Sequence, residues 1–248
     1  MTASKRPSVT QHRDDNQQAT STLRWGGLAG ASGSILLLLV FGVVAAFVGM
    51  DPMGPEESVM RFPDIRAART VENSLYLVVL VLWVMHFLAL HRALRPTSPA
   101  AALFGSVLGI AGLIVLAAGA LPHIATAPIS DLYHAPGATP QDQAALVLVW
   151  QATQGIFDAL LVTGLVIAPM GLAALGAAML GAPAFGKTMG RTTVALGVVG
   201  LAAAAALLVD VSPLGILGVL TLIAFHLVLG WKVHKLSRAP HPSMLADA

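Results

Sequence analysis

Two things are missing or scarce in this chain. Cysteine is absent from all 248 residues, which excludes disulfides, thiolate metal sites and thiol redox chemistry. Charge is scarce: Asp, Glu, Lys and Arg make up 10% of the residues, against about 25% in a soluble domain. None of the long apolar runs contains a Lys, so a retinal-type Schiff base inside them is excluded. There is no Walker loop, no G-x-S-x-G, no H-E-x-x-H and no dinucleotide fingerprint. The net charge is only +2, and it comes from basic residues at the edges of apolar runs. That pattern argues for interface anchoring and against a nucleic-acid partner.

What is present is apolar sequence. Hydrophobic residues make up 56% of the chain, and they are gathered into long runs. One run, Trp25 to Gly49, is 25 residues without a charge. Hydrocarbon about 30 Å thick needs about 20 apolar residues in helical form, and a spanning run must be helical to satisfy its own backbone. The pattern predicts an all-α, polytopic bundle of six transmembrane helices. The spans are expected near Trp25–Gly49, Asn73–His91, Ala100–Leu121, Ala144–Leu180, Thr193–Val209 and Leu214–Trp231. Residues 1–22 are polar and rich in Ser, Thr and Gln, and are expected to form a disordered cytoplasmic tail. Residues 23–236 form the membrane domain, and 237–248 a short cytoplasmic tail. No small-residue cleavage site clearly follows the first run, so the first span is expected to be retained.

The basic residues set the direction. Lys5, Arg6, Arg13 and Arg24 precede span 1; Arg92 and Arg95 follow span 2; Lys187 and Arg191 follow span 4; Lys232, Lys235 and Arg238 follow span 6. Eleven of the fourteen Lys and Arg therefore lie on one side. Arg61, Arg66 and Arg69 lie on the other, outnumbered by acids such as Asp51, Glu56, Glu57, Asp64, Glu72, Asp131, Asp142 and Asp210. The positive-inside rule places both termini in the cytoplasm and the protein in the cell inner (plasma) membrane.

Span 4 is too long. Ala144 to Leu180 is 37 residues, roughly 55 Å of helix. Thr139-Pro140-Gln141-Asp142 reads as its start, with Thr as N-cap and Asp142 completing a capping-box pattern. Pro169 is expected to kink or end the spanning part, with the rest projecting or lying along the cytoplasmic face. Elsewhere, Gly26/Gly30 and Gly105/Gly109 have the small-x-x-x-small spacing that lets backbones approach closely. This suits either packing inside one bundle or a homo-oligomer or partner-subunit interface.

Candidate sites are the polar residues inside spans, where a central Asp costs about 2.5 to 3.5 kcal/mol. Gln151, Gln154 and Asp158 are spaced three then four and share one helix face, which is expected to point into the bundle. They suit a proton, cation or polar-ligand site, or a hydrogen-bonded clamp between helices. His86 in span 2 lies six residues before Arg92, and His226 in span 6 lies six before Lys232. Both therefore sit about 9 Å from those basic anchors. Two His at one depth suit a polar site shared with Asp158, axial ligation of haem b, or simple hydrogen bonding in the bundle. Pro55-Glu56-Glu57 is expected to begin a short helix ending near Phe62-Pro63, with Asp64 capping the helix into span 2. Arg66, Arg69 and Asn73 fall on one side of that helix, as an anion site or a solvated face. His123, Asp131 and His134 fall in the third loop, in a spacing that matches no trusted metal motif; no metal and no cofactor is expected there.

An Arg24-x-Gly-Gly-Leu-x-Gly start to span 1 is followed by a charged outer loop. Later come Gly171-Leu172-Ala173-Ala174-Leu175-Gly176-Ala177-Ala178-Met179-Leu180, then Pro183, Phe185-Gly186, Met189-Gly190 and a Gly-rich span 5. This layout resembles a family of bacterial six-span integral membrane proteins, frequent in actinobacteria, known only as a domain of unknown function. The resemblance implies the fold and no activity. The expected function is therefore a non-enzymatic membrane protein with a polar intramembrane site around Asp158. The alternatives are a small transporter or ion-coupled protein, or a haem b-binding redox subunit.

The charge pattern makes one direct prediction. A reporter active only outside the cytoplasm should be active when fused after Pro136 and silent when fused after Pro183. The reverse pattern would invert every loop.

Overall fold

The computed structural model describes residues 9–49, 54–209 and 215–238. Asp51 and Asp210, two of the acids counted above, lie outside them. The described residues form seven helices: α1 (Val9–Val43, continued by a π-helical turn Val44–Val48), α2 (Pro55–Leu94), α3 (Pro99–Ala118), α4 (Ala120–Tyr133), α5 (Pro140–Leu180), α6 (Gly186–Leu208) and α7 (Gly215–Leu236). No strand occurs among the described residues. Six helical stretches are long and apolar enough to cross a membrane, α3 and α4 together making one of them. The protein is an all-α, six-helix, multi-pass membrane bundle. Its outward faces carry large apolar side chains such as Trp25, Leu39, Phe104, Ile114 and Val198, as contact with lipid requires.

Two helix triplets make up the bundle. α1 packs between α2 and α7, and α5 packs between α3 and α6; contacts α2–α3 and α6–α7 join them. Glycine holds each triplet together. A Cβ on Gly27 would stand 2.7 Å from the carbonyl oxygen of Gly230, and one on Gly230 would stand 2.7 Å from that of Gly27. On α5, a Cβ on Gly171 would lie 2.4 Å from the Gly109 nitrogen, and one on Gly176 would lie 2.6 Å from the Val194 nitrogen. Real Cβ atoms do not approach backbone this closely, so only glycine permits these contacts. Gly26 and Gly30 face Ala89 and His86, and Gly105 faces Leu175 and Gly171. The small-residue pairs expected to serve either packing or oligomerisation thus pack against the chain's own helices. Phe87 bridges the triplets, its ring pressed on Gly109, with the Ser106 hydroxyl donating to its carbonyl at 3.5 Å.

The register along α5 explains its length. Gly112 faces Ala168, Gly164 faces Leu116, Gly197 faces Ala173 and Gly200 faces Pro169. Running antiparallel, the ends of α3 and α6 then fall level with about residue 160 of α5. The excess of α5 therefore lies at the end away from the termini, not at the cytoplasmic face as expected. The helix runs through Pro169 without ending there. Proline is tolerated because its buried ring fills space against Gly200, which has no side chain to oppose it. The Thr139–Asp142 capping box is present, with the Asp142 backbone N–H donating to the Thr139 hydroxyl at 3.2 Å.

The first half of α2, α4 and the first half of α5 form an outer layer with its own small core of Val59, Phe62, Ile129, Tyr133 and Trp150. Two expectations change here. α2 is one helix through Pro63, not a short helix followed by a capped one. Pro63 has no N–H to offer the carbonyl four residues earlier, that of Val59. The Ser130 hydroxyl of α4 donates to that carbonyl instead, at 3.2 Å. The third loop is the helix α4, whose buried Pro122, Thr126, Ile129, Ser130 and Tyr133 recur at helical spacing. Of the N-terminal tail expected to be disordered, residues 9–22 are helical in α1; residues 1–8 lie outside the described residues.

Glycine packing gives a paired prediction. Gly171→Ala should lower stability by roughly 1–3 kcal/mol or more, because backbone rather than a movable side chain opposes the new methyl. Gly155 has nothing within 4 Å of its Cβ position, so Gly155→Ala should be neutral or stabilise by about 0.5–1 kcal/mol. Thermal unfolding of the purified variants in detergent measures both; equal midpoints would remove glycine from its organising role.

Candidate functional site

Beyond the glycine contacts, α1, α2, α5 and α7 line an apolar chamber of about 230 Å³. Its walls are aliphatic and aromatic, including Phe41, Leu80, Phe157, Leu161 and Leu222. Glu72, Asn73, Tyr76 and His123 stand at its polar end. A second cavity of about 260 Å³ lies in the outer layer, with Arg69, Thr126, Trp150, Gln151 and Gln154 among its walls. His123 lines both, and its ring stacks on Phe157 with centroids 4.1 Å apart. A single half-buried imidazole thus separates an apolar chamber from a polar pocket.

The α2 helix supplies the neck by simple spacing. Arg69, Glu72, Asn73 and Tyr76 fall at i, i+3, i+4 and i+7 and so share a face. Arg69 Nη1 donates to Glu72 Oε2 at 2.8 Å. The two side chains are only 28% and 15% exposed, so this pair is screened less than a surface pair. Arg69 turns to the outer pocket and Glu72 to the chamber. The Tyr76 hydroxyl donates to the Leu116 carbonyl at 3.4 Å and ties the neck to α3. Arg66, grouped with Arg69 and Asn73 by sequence, is engaged elsewhere: it pairs with Asp131 and donates to the Ala127 carbonyl. That pair clamps α2 to α4.

The three polar residues of α5 share a face as their spacing requires, but the face does not point inward as a unit. Its inward stripe is Trp150, Gln154, Phe157, Leu161 and Leu165, all cavity-lining. Gln151 borders the outer pocket. Asp158 is exposed and lines neither cavity, so its expected interior placement is not realised. Depth gives the physical reason. Asp158 stands level with the outer ends of α3 and α6, where the six-helix part gives way to the outer layer. A carboxylate at that boundary avoids the penalty of the hydrocarbon centre.

His86 and His226 do meet. Their ring centroids are 5.2 Å apart, and both residues are 0% exposed. His86 Nδ1 lies 3.0 Å from the Gly26 carbonyl oxygen. A carbonyl only accepts, so Nδ1 carries the proton and Nε2 carries the lone pair. Nε2 of His86 and both ring nitrogens of His226 have no hydrogen-bond partner among the described residues, a costly arrangement at about 1–3 kcal/mol per buried group. Trp83 stacks on His226 at 4.3 Å, and Phe87 and Phe225 meet its edges. Gly30 backs the His86 ring so closely that a Cβ there would be 2.5 Å from Nδ1. The two imidazoles are thus in direct contact, with aromatic rings closing the sides. Asp158 is not part of this cluster.

Other groupings stay apart. His134 Nδ1 binds its own helix through the Ser130 carbonyl at 2.9 Å, Asp131 pairs with Arg66, and His123 stacks on Phe157. No cluster of three or more His, Asp or Glu suited to a metal occurs among the described residues. Sequence reasoning did not single out Glu72, Tyr76, Trp150 or Phe157. The i, i+3, i+4, i+7 spacing from Arg69 to Tyr76 was the available signal for the first two. Comparison of this chain with family models, curated proteins and solved structures gives no match, so its chemistry is read from this geometry.

Proposed function

We propose that this protein is a non-enzymatic, multi-pass protein of the inner (plasma) membrane that binds an amphipathic, lipid-like molecule with an anionic head. Membership of the bacterial six-span family of unknown function belongs to the same proposal and supplies no activity. The ligand's apolar part occupies the chamber, and its head faces Arg69, His123, Gln151 and Gln154 in the outer pocket. The observation that carries the reading is that His123 lines both an apolar and a polar cavity. An ion, a sugar or a purely apolar molecule would match only one of the two. Arg69 is the cation at the polar side, and Gln151 and Gln154 supply neutral donors and acceptors. The polar site expected around Asp158 is thus moved to the neighbouring face of α5. Binding, rather than conduction, is the favoured activity, because glycine contacts and the Trp83–Phe87–Phe225 cluster close the bundle towards the termini.

The test is saturable binding of a fluorescent anionic acyl lipid to the purified protein. Arg69→Gln should weaken binding about 10- to 100-fold, the range for losing a hydrogen bond to a charged group. Leu161→Trp, which fills the chamber, should abolish it while leaving the unfolding midpoint in detergent within a few degrees. Binding unaffected by both substitutions, or no saturable binding to the unaltered protein, sinks the reading.

A further inference from the structure

We propose that His86 and His226 form a two-coordinate site for a soft monovalent metal ion, Cu(I) in the first instance. Its two ligands line neither of the cavities described above, the nearer of which Trp83 borders, and it does not rest on the lipid reading. Three observations support it. First, α2 and α7 bring two fully buried imidazoles into contact at 5.2 Å. Second, His86 is arranged as metal-binding histidines are. One ring nitrogen donates to a backbone carbonyl, that of Gly26, which fixes the tautomer and leaves the other nitrogen basic. That nitrogen, Nε2, has no partner. Third, neither nitrogen of His226 has a partner, and in the neutral ring one of them must carry a lone pair.

The surroundings select the ion. No carboxylate completes a larger ligand set among the described residues, and the walls are Trp83, Phe87 and Phe225. The self-energy of a buried ion rises with the square of its charge, so a divalent ion without anionic ligands is disfavoured here. Imidazole suits copper, and a closed-shell monovalent ion accepts two opposed ligands. Metal–nitrogen bonds of about 2 Å place two opposed ring centroids about 6 Å apart. The ring centroids stand 5.2 Å apart, so binding opens the pair by roughly 1 Å. The Trp83 ring, stacked on His226 with an interplanar angle of 6°, stabilises positive charge through its π face.

The experiment uses full-length protein in detergent, with Cu(I) supplied anaerobically against a chromogenic Cu(I) chelator. We expect one Cu(I) per chain, and X-ray absorption showing two imidazole nitrogens near 2 Å. His86→Gln and His226→Gln should each weaken binding at least 100-fold, and His134→Gln should not. Failure to retain Cu(I), retention undiminished in His226→Gln, or an absorption spectrum showing methionine sulfur ligation would overturn the proposal. The absorption spectrum of the unaltered protein decides the question even where a histidine variant does not fold.

Discussion

Backbone-to-backbone contact at glycine is the constraint on which the other features depend. In lipid, apolar side chains gain nothing by leaving one another for the solvent, so helix association must come from close packing. Here that packing is concentrated at Gly27–Gly230, Gly109–Gly171 and Gly176 against Val194. Each contact fixes the rotation and height of two helices at once, because only one register aligns two bare backbones. Phe87 against Gly109 then sets the two triplets relative to each other.

The same constraint explains where space opens. The tightest contacts crowd towards the termini of the chain, and large side chains replace glycine further out. Phe41, Tyr76 and Phe157 hold α1, α2 and α5 apart and line the chamber. The outer layer is then needed to cover the opening. α2 and α5 extend past the ends of α3 and α6, and α4 folds across them. The Arg66–Asp131 pair and the Ser130–Val59 hydrogen bond fasten it. The cavity thus follows from unequal packing along the bundle rather than from any one residue.

Polar groups sort by the same geometry. Arg69 and Glu72 are mutually paired at the neck. Asp158 lies exposed at the boundary with the outer layer. His86 and His226 are carried into the closely packed half, with Gly30 making room for one ring and Trp83 covering the other. A buried pair with three unpartnered nitrogens stands out in a protein that otherwise confines its polar side chains to helix ends, carbonyl contacts and cavity walls.

The sequence alone determined the class of fold, the number of spans and the matched depth of His86 and His226. The physical reason is that these are one-dimensional quantities. Run length against hydrocarbon thickness counts the helices, and 1.5 Å per residue converts position into height. The Thr139–Asp142 cap was legible for a similar reason, since its contacts span only three residues. Rotation and reference level were decided by the tertiary structure. Gln151, Gln154 and Asp158 share a face, but which neighbour that face meets depends on how α5 docks on α3 and α6. The excess of α5 could be assigned to the outer end only once the glycine register had fixed where those helices stop. His123 and Arg69 became one site through the packing of α4 on α2, contacts between residues more than fifty positions apart that no local spacing encodes.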